Sequence, residues 1–172
     1  MKSDNKILKE RARQLAIKNE MNLEDQTNNL HVVEFFLAPE HYGIESYLIS
    51  EVLLLKELTA IPGAPAFVAG VTNVRGKIIS IINLKTFLGM VTKGITDLNK
   101  TIILQHNGME FGIIADAIEG TNNISEQSLS TAPATLHGKG ASFVKGLTKN
   151  GTIILDGVRL LTETSILVNQ KK

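Results

Sequence analysis

The sequence predicts an all-β protein built from two small β-barrels in tandem, preceded by an amphipathic helix. Two observations carry this. The apolar runs are short, rich in Ile and Val, and broken every few residues by Gly, Pro or Asn-Gly, which is the punctuation of small barrels rather than of an α/β sheet. The second half of the chain also repeats the first. Thr101 to Gln105, a turn at His106-Asn107-Gly108, and Phe111-Gly112-Ile113 echo an earlier hairpin that ends in Tyr42-Gly43-Ile44. Ala66 to Val71 returns as Ser142 to Leu147, Gly76 as Gly151, and Ile78-Ile79 as Ile153-Ile154. Asn83 followed by Phe87-Leu88 returns as Asp156 followed by Leu160-Leu161. The expected organisation is a helix and linker over 1–29 and a β region over 30–168, divided into barrels at about 30–99 and 100–168.

Taken in order, residues 3–20 place Leu8, Ala12, Leu15 and Ala16 at helical spacing among Lys6, Lys9, Arg11, Arg13 and Lys18, with Asp4 or Asn5 as N-cap. Such a basic helix either docks a partner or an anionic surface, or is laid on its own domain or left frayed at the terminus. Residues 22–29 are polar and turn-rich, a linker. Val32 to Leu37 is a strand, residues 38–41 a turn containing Pro39, and Tyr42-Gly43-Ile44 the return strand. Over 45–55 the helical and strand patterns overlap, and the reading is a brief helical turn followed by a strand.

Ile61-Pro62-Gly63-Ala64-Pro65 forbids a helix, since two prolines fix φ and restrict the residues before them. Phe67 to Val74 is then a strand, Arg75-Gly76-Lys77 a reversal whose glycine supplies a positive φ, and Ile78 to Leu84 a β-branched return strand expected to be the innermost. Lys85 to Leu88 gives one helical turn closed by Gly89. Because Phe67 and Phe143 are equivalent, as are Tyr42 and Phe111, these aromatics read as core demanded by each copy.

Eighteen basic and seventeen acidic side chains leave a net charge of +1, so charge favours no polyanion partner. Cysteine is absent, which removes disulfides, thiolate metal sites and cysteine nucleophiles. No apolar run suffices to span a bilayer, and the expectation is a cytoplasmic protein without direct membrane insertion. His31, His41, His106 and His137 lack metal-ligand spacing, and read as solvated turn residues. Gly138 to Ser142 resembles a phosphate loop only faintly, and Asp116, Glu119 and Asp156 form no marked acid and base pair. No catalytic residue, metal site or cofactor is expected.

Tyr42-Gly43-Ile44-Glu45, then Pro65 to Gly76 and Ile78 to Lys85, resemble the signature of the CheW family of chemotaxis coupling proteins. The resemblance runs from about Val32 to Leu167, taking in Phe111-Gly112-Ile113, Asp116 and Gly146, and leaves the amino-terminal helix outside. It implies two SH3-like barrels side by side, without catalysis. It also implies an adaptor joining the regulatory domain of a CheA-type histidine kinase to the cytoplasmic helical hairpins of chemoreceptors. Receptor contacts would fall on Ile49, Glu51, Gly70, Asn73 and Arg75, and the kinase would be held by apolar surface on both barrels. Gly76 and Gly151 would be structural turn glycines. Asn83 stands where the family usually has aspartate and Lys85 where arginine is common, so an ion pair there is expected to be weak or absent. Without the resemblance, Glu51 and Arg75 read as solvated surface charges, and Gly70 as a bulge or close strand approach. A nucleic-acid-binding barrel module is the alternative, and it would require exposed aromatics among basic residues.

Overall fold

The structure, a computed structural model, describes residues 9–17, 28–92, 94–96, 98–132 and 138–166. Helix α1 covers 9–17, and every residue in it is exposed. The remainder of the expected 3–20 helix, most of the linker, His137 and residues 167 and 168 lie outside the described residues.

Strands β1 (Asn29–Leu37) and β2 (Glu40–Glu45) form the first hairpin. The ambiguous stretch resolves as expected, into a 3-10 turn at Ser46–Leu48 and then β3 (Ile49–Leu54). Strands β4 (Val68–Val74) and β5 (Lys77–Ile82) meet at Arg75-Gly76, and the short α2 (Leu84–Phe87) follows. Strands β6 (Lys100–His106) and β7 (Met109–Ala115) turn tightly through Asn107 and Gly108, both at positive φ, as a two-residue hairpin requires. After β8 (Ala117–Ser125) come a 3-10 segment at Gly138–Phe143, β9 (Val144–Leu147), β10 (Ile153–Leu155) and α3 (Gly157–Thr162).

The sheets do not follow the sequence halves. One has the order β8-β1-β2-β10-β9 and the other β3-β6-β7-β5-β4. Each half therefore sends its leading hairpin into the sheet built by the other half's last three strands. The expected division at 99 and 100 is corrected accordingly: neither sheet is contained in one half. Under the exchange β1 matches β6, β2 matches β7, and so on to β5 and β10, which turns one sheet order into the other. The parallel pairings confirm the equivalence, with Ile154 opposite Gly43 in one sheet and Ile81 opposite Gly112 in the other. Ile154 thus corresponds to Ile81, two residues on from the expected match with Ile79. Those glycines exist for close approach, because a Cβ would lie 2.8 Å from Ile154 at position 43 and 2.6 Å from Ile81 at position 112.

Each sheet closes on itself through one matching bridge. Thr59 exchanges two backbone hydrogen bonds with Val71 (2.9 and 2.8 Å), and Ser130 does the same with Leu147 (2.9 Å each). Closure brings backbones so near that only glycine fits beside them. A Cβ on Gly70 would sit 2.4 Å from the Thr59 carbonyl oxygen, and one on Gly146 would sit 2.8 Å from that of Ser130.

Three apolar clusters result. Leu55, Ile79, Ile81, Ile103 and Ile114 fill the second barrel, while Val32, Ile124 and Ile154 fill the first. The largest draws on both sheets and includes Phe35, Tyr42, Ile44, Ile82, Ile102, Phe111, Ile113, Phe143, Leu160 and Leu161. Phe67, Phe87 and Phe143 carry ring contacts across it, with centroids 5.3 and 5.2 Å apart. The expected core roles of Tyr42, Phe111 and Phe143 hold, while Phe67 is only half-buried. One expectation is corrected: β5 is not innermost. The middle strand of its sheet is β7, buried from Phe111 to Ala115, whereas Ile78 at the start of β5 is 64% exposed.

Candidate functional site

The five residues implied as a binding site fall on or beside the β3, β4 and β5 part of one barrel, in unequal positions. Glu51 on β3 and Arg75 at the tip of the β4–β5 hairpin come from opposite edges of the sheet order, and barrel closure joins them. Arg75 Nη2 lies 3.1 Å from Glu51 Oε2. The Arg75 side chain is 83% exposed. Asn73 is exposed and shapes the turn. Its Oδ1 accepts the Gly76 N–H at 2.8 Å, which fixes the tip with Arg75 at φ 51° and Gly76 at φ 86°. Gly151 matches at φ 88°. Ile49 is half-buried against the shared core, and Gly70 is buried beneath Thr59 in the closure. Glu51 and Arg75 are thus brought together with charge presented to solvent, while Asn73 and Gly70 shape the hairpin that carries them.

Sequence reasoning missed the exposed apolar surface of this barrel. On β3 the outward residues Val52 and Leu54 are exposed, as is Ile78 on β5. A groove of about 330 Å³ runs between Lys56, Glu57, Thr59, Val71, Asn73 and Ile78. It adjoins a larger one of about 620 Å³ lined by Leu54, Leu58 and Ile95. The alternation of Ser50, Val52 and Leu54 was the available signal; it shows which face is outward only once the closure is known. A barrel that presents both an ion pair and exposed aliphatic side chains is suited to gripping a partner surface. Among the described residues no cluster of three or more His, Asp or Glu could hold a metal ion, and no helix is long and apolar enough to cross a membrane. Tyr42, Phe111 and Phe143 are buried, so they offer no stacking platform to a nucleic acid.

A second polar cluster corrects the expectation about Asn83 and Lys85. Asn83 caps α2, its Oδ1 accepting the Thr86 N–H, so it is not an ion-pairing position. Lys85 does have an ion pair, with Asp116 at 2.6 Å, and its side chain is 11% exposed. Asp116 also accepts from the Ala38 N–H at 2.8 Å and from Asn99 Nδ2 at 3.1 Å, so it ties together the ends of β1, α2 and β7. Burial pushes its pKa up, but the hydrogen bonds from Lys85, Ala38 and Asn99 outweigh burial and hold it below the usual carboxylate value. A depressed folded-state pKa contributes stability that is present above the unfolded value and is lost as pH falls through the folded one. Asp116→Asn should therefore cost about 3 kcal/mol at neutral pH, since it strands the Lys85 ammonium, and the loss should shrink below pH ~4. Urea melts at several pH values check this; a pH-independent difference would remove the ionic role.

The comparisons with known proteins agree on one family. The family model described as CheW-like domain matches residues 31–165. A relative from Treponema pallidum named Chemotaxis protein CheW is 31% identical over 142 residues, covering 78% of this chain and 84% of its own length. One of the same name from Klebsiella aerogenes is 26% identical and covers 81% and 86%. Among solved structures, a crystal structure titled as the scaffolding protein TtCheW from Thermoanaerobacter tengcongensis superposes with a TM-score of 0.68 at 33% identity. It covers 83% of this chain and 91% of that one.

Proposed function

The chain belongs to the CheW-like domain family, and from that membership we propose that it is a non-catalytic adaptor joining the cytoplasmic helical hairpin of a chemoreceptor to the regulatory domain of a CheA-type histidine kinase. A role in chemotaxis signalling as an adaptor follows from the family and from the scaffolding relative. The partners are the finer part of the reading. The observation that carries it is the Glu51–Arg75 pair, assembled by closure of a barrel that also exposes Val52, Leu54 and Ile78. A helical hairpin offers both a charged flank and an apolar seam, and this surface complements both. The kinase domain is assigned to the remaining exposed aliphatic surface, around Ile95 and Leu98. The protein then works on the cytoplasmic side, recruited to receptor arrays by binding rather than by insertion, and uses no cofactor.

Arg75→Ala separates binding from folding. An exposed ion pair contributes within about 0.5 kcal/mol to stability, so the melting temperature should stay nearly unchanged. Truncating an arginine anchor costs about 2 kcal/mol of binding, and affinity for a receptor hairpin fragment should fall ~30-fold. Arg75→Lys should recover little if the contact is a bidentate fork. Unaltered affinity of Arg75→Ala returns the residue to the bare surface and takes the receptor assignment with it.

A further inference from the structure

Helix α1 has no role in the adaptor reading. Every residue in it is exposed, Leu15 and Ile17 included. Helices in proteins are held mostly by packing an apolar face, so an amphipathic helix standing wholly in water needs a surface. Of the stripe Leu8, Ala12, Leu15 and Ala16, the last three fall within α1. Arg11 stands one turn before Leu15 and borders that stripe, while Ile17, two residues after Leu15, points to the opposite side.

The chain that follows α1 enters the first barrel beside an acidic cluster. The Asn28 carbonyl accepts the Glu126 N–H at 2.9 Å, so the linker from Ile17 ends against Glu126. Residues 18–27 reach at most roughly 35 Å when fully extended, which tethers α1 to this end of the barrel. The 3-10 turn at Glu126–Ser128 leads into a close approach to β9, since a Cβ on Gly146 would sit 2.8 Å from Leu129 Cβ. Next to Gly146 a bulge in β9 leaves Lys145 out of the ladder, and its Nζ donates to Glu45 Oε1 at 2.9 Å. Burial pulls the Lys145 pKa down, but the hydrogen bond to Glu45 and the charges of Glu45, Glu126 and Asp156 outweigh it and hold it above the usual lysine value. Three carboxylates thus surround one ammonium, and Glu45 Oε2 is buried without a hydrogen-bond donor among the described residues. The fold does not demand these charges. In the second barrel the positions matching Glu45 and Lys145 are Ile114 and Ala69, both in its apolar cluster. Apolar ground also lies here, because Leu30 and Leu129 are half-buried over the small core of Val32, Ile124 and Ile154.

We infer that α1 docks on its own domain at this end of the first barrel, with Ala12, Leu15 and Ala16 on Leu30 and Leu129, and Arg11 against Glu126. Charge selects the occupant. Lys9, Arg11 and Arg13 outnumber Glu10 on the helix, as Glu45, Glu126 and Asp156 outnumber Lys145 on the surface, and each has apolar side chains beside its charge. Because the tether makes the contact intramolecular, even a weak one holds at any protein concentration.

Hydrogen exchange and paramagnetic broadening on the full chain test this. In the wild type the amides of 9–17 should be protected. Leu15→Gln, which keeps helix propensity, should speed their exchange about 10-fold, and Ile17→Gln on the opposite side should not. The chain has no cysteine, so Gln14→Cys can carry a single spin label, which should broaden the amides of Leu30, Glu126 and Leu129 most strongly within the domain. Glu126→Lys should reduce both the protection and the broadening, and adding Arg11→Glu should bring them back. Wild-type amides over 9–17 that exchange as in an unfolded peptide, equal effects of Leu15→Gln and Ile17→Gln, or broadening that falls elsewhere would each overturn the inference. Protection that arises only when another protein is added would overturn it too, and would give α1 to a partner.

Discussion

A chain cut after Asn99 should not fold. It keeps β1 to β5 but loses β6 and β7, which lie between β3 and β5, and β8, β9 and β10, which are three of the five strands around β1 and β2. The shared apolar cluster loses Ile102, Leu104, Phe111, Ile113, Phe143, Leu160 and Leu161. What remains is two hairpins and one strand without sheet neighbours, below the size at which strands are stable alone. Circular dichroism of a 1–99 fragment should show no cooperative melt, while the whole chain should unfold in a single transition by every probe. Producing 1–99 and 100–172 together should recover the fold. A cooperative melt from 1–99 alone would mean that the halves are independent barrels after all.

Phe143→Ala should be strongly destabilising. The ring is 3% exposed and packs against Phe87 within the cluster that both sheets share. The expected loss is about 3–5 kcal/mol, or a fall in melting temperature of ~10 °C for a chain of this size. Phe67→Ala, its equivalent in the repeat, should cost roughly half as much because Phe67 is only half-buried. Equal losses would show that the repeat, rather than burial, sets the cost. A Phe143→Ala mutant that melts like the wild type would remove the shared core as the main source of stability.

Local features of this fold were legible because they are encoded by neighbouring residues. The Asn107-Gly108 and Arg75-Gly76 turns, the proline-rich entry before β4, the cap glycine Gly89 and the pairing of Gly70 with Gly146 all follow from backbone sterics or from repetition. Partner choice is not encoded that way. Nothing within β2 says that its neighbour is β10 rather than β5, since Ile81 and Ile154 present the same side chain to equivalent glycines. For the same reason Ile78 and Ile81 look alike in sequence and differ in the fold, one at 64% exposure and the other at 0%. Family resemblance grouped Glu51 with Arg75, but only closure through Thr59 and Val71 explains their contact. Lys85 and Asp116 were both noticed and never connected, because a separation of thirty-one residues carries no pairing signal.

The crossing of hairpins between the halves also bears on what one unit of the repeat could do alone. A single unit of the repeat, translated without its twin, would hold a hairpin whose sheet neighbours it does not encode, and the surface that could supply them is another copy of itself. In this chain the other unit supplies those neighbours, and the two are joined in one polypeptide. Joining the copies made their association independent of concentration.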